Sequence, residues 1–157
     1  MVKKKFLCLL TLCLLTALAA CAAPENHEAL LELNDKSNFA GVMLGMTTTA
    51  MQEELGEADA INPTNAGTEY MYQELDLSVL VDDEQLIRRL SSKNPDLSIF
   101  DIKTGDTLSA AETILTDKGY SRDAAAGWRY NNNEIQIILL TIDDVSVVGF
   151  SAEWLTN

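Results

Sequence analysis

The stretch GMTTTAMQEELG, from Gly45 to Gly56, determines how the rest of the chain is interpreted. Sixty residues further on, the stretch from Gly105 to Gly119 reads GDTLSAAETILTDKG. Both stretches contain a threonine able to cap a helix, then a short helical run, then a glycine that ends it. Similarity at a fixed offset of this length indicates a duplicated supersecondary unit.

The correspondence at this offset continues downstream of each helical run. Its members are Leu55 and Leu115, Tyr70 and Tyr130, Leu75 and Ile135, and Leu77 and Ile137. The downstream residues alternate between apolar and polar, which is typical of β-strands with one buried face. The sequence therefore predicts an α+β fold. Two tandem repeats of one helix and a three-stranded meander (about 37–96 and 97–157) would form one antiparallel sheet with the helices on one face.

The first 21 residues predict a targeting segment. Lys3 to Lys5 form a positively charged start, and the apolar run from Phe6 to Ala20 is shorter than the ~20 residues of a membrane-spanning helix. The run ends in Leu18-Ala19-Ala20-Cys21, which resembles the lipobox of bacterial lipoprotein precursors. The resemblance implies cleavage before Cys21 and its lipidation. The chain would then be anchored on the extracytoplasmic side of the cell membrane or the outer membrane. An ordinary signal peptide is the alternative.

After this cleavage Cys21 is the only cysteine left, so disulfides and thiol metal sites are excluded. Residues 22–36 are predicted to form a tether that leads to a single globular domain, 37–157. Within the tether, residues 28–33 would be either one or two helical turns or disordered linker. His27, the only histidine in the sequence, is interpreted as a solvated residue of the linker.

Several function classes are excluded by composition. A lone histidine in a tether does not support a serine or cysteine triad, and no phosphate-binding glycine loop occurs. Without Lys3 to Lys5 the chain has 8 basic and 24 acidic residues, a formal charge of −16, which disfavours nucleic acid and anionic lipid surfaces. The acidic residues at 82–84 and 143–144 are interpreted as hairpin turns, so we expect no metal, no cofactor and no catalytic residue.

The aromatic residues of the predicted strands are expected to lie on the helix side of the sheet. Two-residue turns at 73–74 and 132–133 would place Tyr72 opposite Leu75 and Tyr130 opposite Ile135. Tyr70 and Trp128, two positions away from these tyrosines, would share their side of the sheet.

A resemblance to a protein superfamily is carried by the turn Gly45-Met46-Thr47, by the helix end Leu55-Gly56, and by the order of helix and meander. These features resemble the SmpA/OmlA and β-lactamase-inhibitory-protein superfamily over roughly residues 39–154. The second half has Asp106 in place of the methionine, and the chain lacks the disulfides of the inhibitory protein. The resemblance implies non-enzymatic protein binding through the open face of the sheet or its loops.

The predicted binding face follows from strand alternation. A two-residue turn at Asp143-Asp144 would place Leu140 opposite Val147 and leave one apolar set on the open face. Its members are Ile138, Leu140, Ile142, Val145 and Val147. This set is expected to contact a foreign protein, a second copy of the chain, or the tether.

Three function classes follow from these observations. The sequence favours a membrane-anchored, extracytoplasmic lipoprotein that acts as a protein-interaction module of the cell envelope. One alternative is an anchored sensor or carrier of a small ligand. A carboxylate-dependent envelope hydrolase is the other alternative, and it would require two acidic side chains facing each other across a cleft.

Overall fold

A single eight-stranded antiparallel sheet dominates residues 27–155, the part of the chain that the computed structural model describes. The strands are β1 (Ala60–Thr64), β2 (Gly67–Tyr72), β3 (Leu77–Val81), β4 (Ile87–Ser92), β5 (Ser121–Asp123), β6 (Arg129–Asn131), β7 (Ile135–Leu140) and β8 (Gly149–Trp154). Their order across the sheet is β1-β2-β3-β4-β8-β7-β6-β5. The contact between β4 and β8 therefore joins the earlier strands to the later ones.

Three helices accompany the sheet: α1 (Glu28–Lys36), α2 (Thr48–Leu55) and α3 (Leu108–Asp117). The predicted caps are confirmed, since the hydroxyls of Thr47 and Thr107 accept hydrogen bonds from the amides of Ala50 and Ala110 at 3.3 Å. Gly56 ends α2 with a positive φ of 78°, a conformation that glycine adopts without strain. Both helices therefore lie within the two stretches that the sequence predicts to be helical.

The core lies between the helices and one face of the sheet. Alternate strand residues point into it, as the period of two requires. Helix residues Leu33, Met51 and Leu115 belong to the same buried cluster as the strand residues Val79, Leu90, Ile137 and Ala152. The opposite face of the sheet carries the other half of the strand residues. We call it the open face.

The predicted fold class is wrong. The structure is one eight-stranded sheet with three helices, and not two tandem repeats of one helix and a three-stranded meander. Residues 60–64 form the edge strand β1, which contains Pro63; a proline is tolerated there because its nitrogen needs no partner strand. The short strand β5 was not predicted either.

Helix α1 is held against the domain by side-chain contacts along its length. The Asn34 side chain bonds both backbone groups of Leu44, donating to the carbonyl at 3.0 Å and accepting from the amide at 3.1 Å. Lys118 Nζ lies 2.7 Å from Glu32 Oε1. Leu33 is completely buried in the core. Helix α1 is therefore an integral part of the folded domain.

This finding corrects the tether prediction. Residues 22–26 lie outside the described part of the chain, but 28–36 are helical and packed, so the helical alternative applies to them. His27 is not a solvated linker residue. Its Nδ1 contacts Glu134 Oε1, and its ring meets Trp154 edge-on with the ring centroids 5.3 Å apart.

The hairpin registers differ from the prediction by two residues each. Tyr72 pairs with Leu77 and Tyr130 pairs with Ile137, because the connections are longer than the predicted two-residue turns. A shift of two preserves the face of every side chain. Tyr72 and Tyr130 are accordingly buried on the helix side as predicted, and Tyr70 and Trp128 pack partly against the same core.

Both edges of the sheet are poor templates for a further strand. Pro63 interrupts the amide donors of β1, and β5 has only three residues. Within residues 27–155, none of the helices has the length and apolarity that crossing a membrane requires. Because both edges of the sheet are poor templates, the open face is the surface of the sheet that a partner can contact.

The packing of α1 predicts a contrast between two leucines that are two positions apart. Leu33→Ala should lower the free energy of unfolding by about 2–5 kcal/mol, because it leaves a cavity in the core. Leu31→Ala is the matched control: this side chain is 67% exposed, so its loss should change stability by less than about 0.5 kcal/mol. Thermal and urea denaturation followed by circular dichroism measure both. Equal effects would mean that α1 does not pack against the core.

Candidate functional site: the open face of the sheet

The open face is made of rows of side chains that run across the strands. One row is charged: Arg89 of β4 lies between Glu69 of β2 and Glu153 of β8, with 4.0 Å from its guanidinium nitrogens to each carboxylate. Leu80 lies between Glu69 and Arg89 in the pairing order and is buried, because the stems of these long side chains cover it. The charged side chains of this row make that part of the open face unsuitable for apolar ligands.

The next row is polar but satisfied internally. Ser78 donates to Glu69 Oε1 at 2.6 Å, and Ser91 donates to Ser151 Oγ at 2.8 Å across the β4–β8 contact. Met71 and Ile138 extend the row on its two sides, as the strand pairing requires. Since these hydroxyls bond within the protein, this part of the face does not depend on water for its hydrogen bonds.

A groove of about 470 Å³ lies beside this row, over the ends of β2, β3, β4 and β7, and its lining is mostly apolar. Its lining includes the side chains of Met71 and Leu140 and the hydroxyl-bearing Ser78 and Ser91. The volume falls within the range of about 300–1,000 Å³ of small-molecule sites. The groove spans the β4–β8 contact, and it therefore depends on the correct pairing of these two strands.

Lys93 lies at one end of the groove, directly after β4. A Cβ built on Gly149 would come within 2.8 Å of Lys93 Cγ and 3.3 Å of Leu140 Cδ1. The stem of Lys93 therefore crosses the space above Gly149, next to Leu140, and glycine is required there to leave room. The same Cβ would also meet the Ser92 carbonyl oxygen at 2.6 Å.

The connection between β7 and β8 forms a braced loop beside the groove. The carboxylate of Asp143 accepts hydrogen bonds from the amides of Val145 and Ser146 at 2.9 Å, and Thr141 Oγ accepts from the amide of Asp144 at 3.0 Å. The Ser146 and Val145 amides hold the pKa of the Asp143 carboxyl below its usual range. The loop conformation is thus fixed by its own side chains.

This braced loop presents two apolar side chains to solvent. Ile142 is 89% exposed and Val145 is 60% exposed. Trp128 lies beside them: its indole nitrogen donates to Asp144 Oδ1 at 2.9 Å, and the guanidinium of Arg122 stacks 3.8 Å from its ring centroid. Tryptophan and arginine are among the residue types that dominate binding energy at protein interfaces, and here they lie beside two exposed apolar side chains.

The predicted binding residues are only partly brought together. Ile138 and Leu140 lie half-buried on the open face, and Ile142 and Val145 lie in the adjacent loop. The predicted pairing of Leu140 with Val147 is wrong, since Leu140 pairs with Gly149. Cys21, the predicted lipidation site, lies outside the described residues.

Val147 does not belong to this surface. It is 1% exposed and packs in the core. Its amide donates to the Asp106 carbonyl and its carbonyl accepts from the Gly105 amide, both at 2.8 Å, so this part of the chain is bound to the loop that precedes α3. These bonds turn the segment towards the helices before β8 begins.

Sequence reasoning missed the first-half residues that line the groove. Met71 alternates with Tyr70 and Tyr72, so its place on the open face could have been found from the same pattern that placed the tyrosines inside. Lys93 directly follows β4, so the alternation of the strand does not include it. Lys93 lies close to Gly149 because β4 pairs with β8. A pairing between strands so far apart in the chain produces no recognisable pattern in the local sequence.

The acidic turns show no sign of a cation site. In residues 27–155 no group of three or more His, Cys, Asp or Glu side chains is arranged to hold a metal ion. Asp82 instead binds the guanidinium of Arg88 and the amide of Leu86. Burial alone would raise the pKa of Asp82, but these hydrogen bonds outweigh it and lower that pKa.

Comparison with known proteins gives a structural likeness only. No family model matches the sequence, and no match was found among curated proteins. An extracellular protein containing a SCP domain from Bacillus anthracis is similar in structure, with a TM-score of 0.55 and 13% identity, over 70% of this chain and 43% of that one. A cysteine-rich secretory protein from Staphylococcus aureus has a TM-score of 0.55 and 11% identity, over 71% and 44%.

These likenesses show a shared fold. The chain spans a little under half of the length of each of the two proteins, so the likeness extends to only part of them. They agree with the single eight-stranded sheet, which replaces the predicted repeats. The functions of these two proteins do not follow for this chain from the likeness.

Proposed function

We propose that this protein is a membrane-anchored, extracytoplasmic lipoprotein that acts as a non-enzymatic protein-interaction module of the cell envelope. The braced β7–β8 loop is its contact surface. The observation that carries the proposal is the exposure of Ile142 and Val145 on a loop that Asp143 and Thr141 hold in one conformation. Rigid apolar side chains bind with a small loss of conformational entropy.

The charges around the loop define the partner. Asp143 and Asp144 lie between Ile142 and Val145, and the described residues carry 23 acidic against 8 basic side chains. Such a surface repels anionic lipid headgroups, so the exposed side chains do not suit insertion into a membrane. They suit a protein with an apolar hollow bordered by lysine or arginine, which the acidic field would also attract.

The anchor would keep the domain close to the membrane. Cys21 and His27 are separated by six peptide steps, which is at most about 23 Å at ~3.8 Å between successive Cα atoms. Because α1 is packed on the domain, this short segment is all that separates the lipid from the folded domain. The contact loop therefore reaches partners in or near the same membrane and not distant ones.

The anchor is tested by Cys21→Ser. This substitution removes the thiol that the lipid would modify, so the protein should lose partitioning into detergent and should keep its unprocessed length. Phase separation in a non-ionic detergent and the apparent mass measure both properties. A variant that stays in the membrane fraction at the mature mass would contradict the lipid anchor.

The contact loop is tested by photo-crosslinking in the native envelope. A photoreactive amino acid at position 142 should give a discrete adduct with one protein, and adding Val145→Asp should abolish it, because the substitution buries a charge in the interface. Position 61 in β1 provides the control, since Ile61 is also exposed, at 54%, but lies at the far edge of the sheet. Equal adducts at both positions, or adducts with lipid alone, would contradict the proposal.

A further inference from the structure

The groove on the open face is separate from the loop and carries an independent inference. Five of the basic residues in the described part of the chain form ion pairs: Lys36, Arg88, Arg89, Lys118 and Arg122. Lys93 has no carboxylate oxygen within 4 Å among the residues described, although the protein is strongly acidic. It is also the basic residue that lines the groove.

The geometry places the Lys93 stem in contact with the apolar wall. Its Cγ and Leu140 Cδ1 both lie over Gly149, so the stem of Lys93 is next to an apolar side chain of the lining. Met71 lies on the other side of the row of serine hydroxyls, which bond to each other and to Glu69. The groove thus combines a mainly apolar surface with the exposed positive charge of Lys93.

We infer that this groove binds a small amphipathic carboxylate: a molecule with one carboxylate and an apolar chain. The carboxylate would accept a charge-assisted hydrogen bond from Lys93, and the chain would lie between Leu140 and Met71. A volume of about 470 Å³ accommodates a chain of this kind. The inference does not depend on the proposed protein partner, because it rests on different residues.

Asp76 is a second charged residue of the groove, and it opposes the binding of a carboxylate. It also lines the groove, next to Lys93 in the strand order, and the Lys93 amide contacts the Asp76 carbonyl at 3.4 Å. The carboxylate of a ligand would be repelled by that of Asp76. For a cationic ligand, the Asp76 carboxylate would attract the charge and the Lys93 ammonium group would repel it.

The test uses octanoate as the probe, with octanol and octylamine as its uncharged and cationic counterparts. The full chain is held in phosphatidylcholine nanodiscs, and binding is measured by isothermal titration calorimetry against empty nanodiscs. Lys93→Gln should weaken octanoate binding about tenfold, the effect of losing one hydrogen bond to a charged group. Asp76→Asn should strengthen it about threefold, as expected for removing an exposed like charge.

Lys103→Gln is the matched control, because Lys103 also lacks an ion pair within the described residues but does not line the groove. It should leave octanoate binding unchanged. Equal lipid content in all samples cancels partitioning into the bilayer, and thermal melts show that each variant is folded. The inference is overturned if octanoate shows no saturable binding, if octanol or octylamine binds as tightly, or if Lys93→Gln and Lys103→Gln have the same effect.

Discussion

The pairing of β4 with β8 is the interaction on which the rest of the structure depends. Its four residue pairs join strands that are about 60 residues apart in sequence, and they turn two smaller sheets into one. The pairing is reinforced on the open face by the hydrogen bond from Ser91 to Ser151 and by the contact of Arg89 with Glu153. On the other face Leu90 and Ala152 lie in the core. A unit of about 60 residues buries too little surface for much stability alone.

The same pairing creates the surfaces that we connect with function. The groove has Ser78 and Ser91 on one side of the β4–β8 contact and Leu140 on the other, and Lys93 fits over Gly149 only in the observed register. Helix α1 docks on the opposite side, where Lys118 and Leu44 hold it. Helix α1 and the groove are thus held on opposite sides of one sheet.

Local patterns in the sequence predicted local structure well. The caps at Thr47 and Thr107 and the burial of Tyr72 and Tyr130 follow from capping chemistry and from the period of two, which act over a few residues. The hairpin registers did not follow, because residues 73–74 and 132–133 were assigned to two-residue turns although they lie in longer connections. The faces of Tyr72 and Tyr130 were still correct, since both registers were wrong by two residues.

Features that arise from long-range contacts could not be predicted in this way. The edge strand β1 contains Pro63, which taken alone indicates a loop, and α1 gains its stability from the contacts of Leu33 and Glu32 rather than from its own sequence. Val147 was placed on the wrong surface because its bonds to Gly105 and Asp106 connect residues that are 42 and 41 positions apart. The groove combines residues from four strands, so no single stretch indicates it.

Native-state hydrogen exchange tests the central role of the β4–β8 pairing most directly. The amides of residues 89–92 and 150–153 should exchange only through global unfolding, with the same opening free energy as the amides of β3 and β7. This result is expected if the sheet is one cooperative unit. Exchange of the β4–β8 amides through a smaller opening, while β3 and β7 stay protected, would show that the two parts separate and would contradict the account.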